Sequence, residues 1–302
     1  MQKKQKNLLA RVYASVFLSS ICSGAGFVFM KNALDVFPTP WFIFWRFFIS
    51  VLLLLPFLGR KIISAPRTTI VNGVIAGVLF FAATMIQSAG IAKVAAGKSA
   101  FINSLSVVLI PLIQSFISRK SPPPRVVVGC ILCFIGMAAL TGLRGSGISG
   151  GTGELMVLAG TCIFAFEMFF FKHAAKIGNP HQLSLVMFAV LSALSLPFAL
   201  AAPLPESPSF SGVAGVLYAA VMMNICMVMV TNNALRYISP TSVSVISSTQ
   251  AIYGAFFGFL LRGEIITFQF VLSGCAMFVG IMTVLSAQKA RGTFDTNLKS
   301  KA

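Results

Sequence analysis

Ala100-Phe-Ile-Asn-Ser-Leu-Ser-Val-Val-Leu-Ile-Pro111 returns 144 residues later as Ser244-Val-Ile-Ser-Ser-Thr-Gln-Ala-Ile-Tyr-Gly-Ala255. Ile102 falls on Ile246 and Ser104 on Ser248, while Asn103 meets Ser247 and Ser106 meets Gln250. The same shift sets Met85 on Met229 and Gly136 on Gly280. Nearer the N-terminus a shift of 141 sets Ser20 on Thr161, Phe29 on Phe170, Lys31 on Lys172, Phe47 on Phe188 and Pro56 on Pro197. The offsets differ by three residues, as one short insertion produces. Collinear matches over most of each half mark an internal duplication.

The medium around this duplicated chain is read from its composition. Of 302 residues 57% are hydrophobic and 10% charged, with a mean hydropathy of +0.91. A soluble domain carries about 25% charged residues, so the solvent for most of this surface is lipid. A helix needs about 20 apolar residues to cross ~30 Å of hydrocarbon. Ten stretches qualify: Val12–Leu34, Pro40–Leu58, Thr69–Ile91, Ala95–Ser118, Val126–Gly142, Leu155–Lys172, Gln182–Ala201, Gly212–Leu235, Thr241–Leu261 and Phe268–Ala287. Pro and Gly punctuate most of the joints, and the connections are too short for a sizeable soluble domain.

Each copy therefore holds five spans. A unit with an odd number of crossings ends on the side opposite its start, so its copy enters the bilayer upside down. The expected fold is an all-α integral membrane protein of ten transmembrane helices in two inverted-topology repeats. The first repeat is expected over 10–142, a Gly-rich linker over 143–153, the second repeat over 154–288 and a basic tail over 289–302. Inverted repeats are a recurring way to build transporters, because each half can adopt the other's conformation and so switch the side of access.

Charge sets the orientation. With the N-terminus in the cytoplasm, 17 of the 23 Lys and Arg fall inside and the remaining 6 outside, as the positive-inside rule requires. Both termini are then cytoplasmic, and the expected location is the cell (inner) membrane. The net charge of +17 sits in short runs between apolar segments, which suits anionic headgroups and leaves no soluble basic face for nucleic acid. All six cysteines lie in apolar segments. Cys130 and Cys133 form a CxxC without a second pair, so no metal is expected. The N-terminal Lys/Arg cluster and apolar run read as an uncleaved first span.

The chain resembles the EamA-type permeases of the drug/metabolite transporter superfamily, over about residues 10 to 287. The residues that carry the resemblance are Phe27-Val-Phe-Met-Lys31, the stretch Ala100 to Pro111, Arg262-Gly-Glu264, and Gly274 and Gly280. It implies a ten-span permease with two EamA repeats. One position departs: where many first repeats carry an acid matching Glu264, this chain has Lys120.

Glu167 is the one acid well inside a span. Intramembrane carboxylates are expensive and face a cavity or a partner. Proton coupling or binding of a substrate amine is one reading, and a Glu held by Lys172 or Lys176 is the other. Arg46 lies ~9 Å into the second span at 1.5 Å per residue; it either snorkels to the outer headgroups or binds an anion near the outer mouth. Asn103 and Ser106, with Ser247 and Gln250 equivalent to them, lie near one helix face, where small polar residues also serve close helix packing. The amides Asn103 and Gln250 are the leading cavity candidates, followed by Gln87 and Asn224 on the third and eighth spans. Tyr253 is an interface or gating aromatic.

Ala95-Ala-Gly-Lys-Ser99 imitates the end of a phosphate-binding loop, but residue 92 is alanine where glycine is required, and no strand precedes it. His173 and His181 fall at one connection with no partner group in register. No catalytic residue, cofactor or enzyme activity is expected. The expected function is secondary-active export or exchange of a small polar metabolite, such as an amino acid or related compound. A proton is the coupling ion this reading allows, and a homodimer the assembly. The alternatives are an uptake permease or antiporter for a nucleoside-like metabolite such as S-adenosylmethionine, and a polytopic protein that transports nothing.

Overall fold

The structure is a computed structural model that describes residues 2–117, 119, 121, 124–141, 151–205 and 209–290. Ten helices run through them and no strand occurs among the described residues. The first repeat has α1 (Gln2–Leu34), α2 (Thr39–Ile63), α3 (Arg67–Ile91), α4 (Ala96–Ser104 and Ser106–Ile117, interrupted at Leu105) and α5 (Pro124–Thr141). The second has α6 (Thr152–Ile177), α7 (Pro180–Ala201), α8 (Phe210–Tyr218, a π-helical stretch Ala219–Val228, then Met229–Ala234), α9 (Pro240–Ser247 and Gln250–Arg262) and α10 (Phe268–Ala290). Eight are long and apolar enough to cross a bilayer. α5 and α10 contribute the shorter apolar stretches Pro124–Cys133 and Phe268–Thr283. Most of the linker, the tail from 291, Lys120, Pro122 and Pro123 lie outside the described residues.

The helices start where proline and hydroxyl chemistry start them. Pro40, Pro180 and Pro240 occupy first-turn positions, where a missing N–H costs nothing. Asn179, Ser209 and Ser239 accept hydrogen bonds from N–H groups of the turns they precede. Several helices outrun the apolar stretch: α1 begins ten residues early, through the Lys-rich segment, and α2 continues past Leu58 to Ile63. Lys and Arg are good helix formers, so polar ends prolong a helix beyond the hydrocarbon. The outside of the bundle is apolar: Phe57, Phe116 and Phe210 are 76%, 86% and 90% exposed. Water does not stabilise such a belt; lipid does.

Two contacts fix the relation between the halves. Ser104 Oγ donates to Ser248 O at 3.2 Å, and Cys133 Sγ to Met277 O at 3.4 Å, each across a separation of 144 residues. That separation equals the repeat offset, so equivalent residues touch their own counterparts. The close approach of α5 and α10 is reciprocal in the same way. A Cβ on Gly136 would stand 2.7 Å from Met277 Cγ and 2.9 Å from Ser273 O; one on Gly280 would stand 2.6 Å from Cys133 Sγ and 2.7 Å from Gly129 O. The pairing runs antiparallel, Gly129 and Cys133 meeting Gly280 while Gly136 meets Ser273. Equivalent helices that pack antiparallel require a two-fold axis perpendicular to them, which for spanning helices lies in the membrane plane. The second repeat is inverted.

Around that axis α3 packs on α6 and α7, α2 on α7, and α8 on α1, while α4 and α9 cross. At the end bearing the α1–α2 and α3–α4 connections, charged contacts tie the halves together. Arg262 bonds Asn32 and, at 2.9 Å, Asp35, which also pairs with Lys31. Lys98 pairs with Glu154 at 3.1 Å. Glu264 accepts from Ala96 N–H at 2.7 Å and Gly97 N–H at 3.0 Å. No ion pair occurs at the opposite end among the described residues.

Candidate functional site

The interruptions of α4 and α9 fall at equivalent positions, Leu105 and Ser248–Thr249. At each the backbone tightens to i→i−3 bonding: Leu105 N–H to Ile102 O at 3.0 Å, and Thr249 N–H to Ile246 O at 3.2 Å. Ser248 and Thr249 hydroxyls bond the carbonyls of Val245 and Ile246 at 2.7 Å, a local competition that bends helices. Broken helices at mid-membrane mark the binding region in transporters with inverted repeats. Asn103, Ser106, Ser247 and Gln250 flank the two breaks, and all four line one cavity of about 70 Å³.

The cavity sits on the two-fold axis, since its lining is itself paired. Gln87 and Thr231 are equivalent and both line it, as are Ala83 and Met227, Thr84 and Val228, and Phe27 and Met168. The walls combine hydroxyls with Phe and Met. Two hydrogen-bond sets fix the amides. Gln87 Nε2 donates to Asn103 Oδ1 at 2.9 Å, and Ser23 Oγ to Gln250 Oε1 at 2.6 Å. Both amide oxygens are thereby engaged. The side-chain N–H groups of Asn103 and Gln250 have no partner among the described residues and remain available to the cavity.

One charged residue lines the cavity among the described residues, and it breaks the symmetry. Arg46 on α2 is 4% exposed, and its counterpart under the 141 shift is Met187, fully buried. The guanidinium lies over the Phe47 ring at 5.1 Å and is oriented by Nε donating to Asn224 Oδ1 at 2.9 Å. Asn224 in turn donates to Ser50 Oγ at 3.0 Å, and Ser50 donates to Ala220 O at 2.9 Å. Asn224 and Ala220 belong to the π-helical stretch of α8. Such stretches are rare and frequent at functional sites. No carboxylate lies within 4.0 Å of Arg46 among the described residues.

Arg46 therefore does not snorkel: its side chain turns into the protein, where aromatic rings and an amide hold it. Asn224 stands behind the cavity as its support. Glu167 is 2% exposed and does not line the cavity, although its neighbour Met168 does. Neither Lys172 nor Lys176 pairs with it, and Glu167 Oε1 has no hydrogen-bond partner among the described residues. Tyr253 lies outside the lining, its Cβ against Gly24 of α1. Sequence reasoning missed Ser19, Ser20 and Ser23, which line the cavity from α1. With Phe27 and Met30 they recur at helical spacing, so a single polar-to-aromatic face was there to find.

Ten spans in two inverted halves, with a cavity on their shared axis, define a membrane transporter of the inverted-repeat kind. The chain belongs to the EamA-like transporter family, whose model matches residues 10–142 and 151–286. A curated protein of Archaeoglobus fulgidus, described as an uncharacterized transporter, is 27% identical over 259 residues, spanning 85% of this chain and 80% of its own. A solved structure, titled only as the crystal structure of a protein, has the same fold: TM-score 0.67, 14% identity, covering 91% of this chain and 97% of that one.

Proposed function

We propose that this transporter is secondary-active, moving a small polar metabolite of the amino-acid kind out of the cell or in exchange, by alternating access between its two repeats. The observation that carries the reading is the cavity on the two-fold axis, built from equivalent residues of both halves. A rocking motion exchanging the conformations of the halves would open such a cavity to either side in turn. With both termini in the cytoplasm of a cell membrane, the end clamped by Asp35, Arg262, Glu154, Lys98 and Glu264 faces outward and is the closed end. Glu167 is the proton-coupling group in this reading, supported by its burial beside the cavity wall and its unpartnered oxygen. The chain acts without catalysis, as a carrier.

The test is counterflow in proteoliposomes against labelled amino acids, S-adenosylmethionine, sugars and organic cations. Exchange of at least one solute above protein-free liposomes is expected; none across the panel, or tags at Gly145 and Lys289 reporting the same side, would overturn the reading. Coupling is tested with Glu167→Gln under an imposed pH gradient. The wild type should concentrate solute against its gradient and the variant only equilibrate it. Equal accumulation by both removes Glu167 from the coupling role.

A further inference from the structure

We infer that the substrate carries a carboxylate, bound at Arg46, and that cations are excluded from the cavity. Burying a guanidinium is costly unless an opposite charge compensates it. Here it is 4% exposed with no carboxylate within 4.0 Å among the described residues, yet it is carefully placed: Asn224, Ser50 and the Ala220 carbonyl form a chain that fixes Nε, and Nη1 meets only the Met30 thioether at 3.8 Å, on the cavity wall. Two of the cavity amides agree in sign, while the wall hydroxyls can donate or accept. The amide oxygens of Asn103 and Gln250 are occupied, and their N–H groups are what the cavity is offered. A ligand rich in acceptors matches such walls, and an ammonium or sulfonium meets an uncompensated positive charge.

Charge counting narrows the class. One cation lines the cavity among the described residues, so one negative charge balances it, whereas a phosphate ester brings about two at neutral pH. The planar fork of arginine also matches a carboxylate through two parallel hydrogen bonds. The remaining walls mix Ser and Thr hydroxyls with aromatic and thioether groups, among them Phe27, Phe80, Phe164, Met168 and Met223. The ligand is a carboxylic acid with a partly apolar body; in an amino acid the carboxylate neutralises the guanidinium and the wall hydroxyls are the acceptors open to the ammonium. This deepens the transport reading and rests on it only for calling the bound acid a substrate.

The experiment uses matched sets of acid, amide, amine and phosphate ester on one aromatic and one aliphatic body, with the corresponding amino acid. Affinity is read from thermal unfolding of the purified protein in detergent. Acids should bind roughly tenfold or more tightly than their amides, the loss expected for one charged pair, and amines should not bind. Arg46→Met, which installs the residue found at Met187, should abolish the preference for acids, and Arg46→Lys should retain part of it. An amine bound as tightly as its acid, acid and amide bound alike, no acid bound, or an unchanged preference in Arg46→Met overturns the inference. An acid bound through Arg46 but never exchanged into liposomes sinks the transport reading and spares this one. Exchange confined to neutral or cationic solutes does the reverse.

Discussion

Glu264 is the residue that the family resemblance singles out and the sequence leaves without a role. Its carboxylate caps the start of α4 from the other half of the molecule, accepting from two backbone N–H groups that an isolated helix leaves unpaired. Glu264→Ala should lower stability by about 1–2 kcal/mol, the usual worth of a charged cap, read as a lower midpoint of thermal unfolding in detergent. An unchanged midpoint would mean that water satisfies those amides equally well. Legibility at this scale divides sharply. The depth of Arg46 follows from counting residues along α2, but what its guanidinium meets is decided by the rotation of α8, which a π-helical stretch resets and no periodicity announces. Asn103, Ser106, Ser247 and Gln250 were readable because duplication presents each position twice, and a polar residue kept polar in both copies stands out against apolar neighbours. Glu167 was readable as an anomaly only: its counterpart is Gly26, and the sequence does not say what surrounds it.

The helices themselves were legible wherever length and hydropathy act alone, and less so where local chemistry interrupts them. The breaks in α4 and α9 fall inside stretches whose average hydropathy still reads as one span, so a sliding average passes straight over them. In α9 the Ser248 and Thr249 hydroxyls bond carbonyls three residues back, and beside the α4 break Ser104 bonds the Ala100 carbonyl. Helix ends shift for another reason, since Lys- and Arg-rich margins stay helical outside the hydrocarbon. Contact between elements makes a second prediction. In Gly280→Ala the new methyl must displace the Gly129 carbonyl or Cys133, forcing α5 and α10 apart at about 1–3 kcal/mol. Gly59→Ala, whose methyl would sit 3.6 Å from Leu55, should instead be neutral or stabilising by up to ~1 kcal/mol. Equal unfolding midpoints for the two variants would contradict the interface between α5 and α10.

At the scale of the whole molecule the duplication dictates the architecture, and the departures from symmetry carry its particular character. Three acids, Asp35, Glu154 and Glu264, gather at one end and join the halves there; the topology places them on one side, and only the fold shows which groups they meet. If that end must part during each cycle, a bridge across it stops transport. In a background lacking the six native cysteines, Asp35→Cys with Arg262→Cys, joined by a short cleavable thiol reagent, should lose solute exchange and regain it on cleavage. Either single variant should be indifferent to the reagent. Undiminished exchange by the bridged protein would show that this end stays shut throughout. Arg46 and Met187 have a separate consequence. Two perfectly matched repeats would make a see-saw with identical seats, its two tilted positions equal in energy. An arginine without a twin weights one seat, so the empty carrier has a resting tilt, and an acid that neutralises the weight frees the beam to swing.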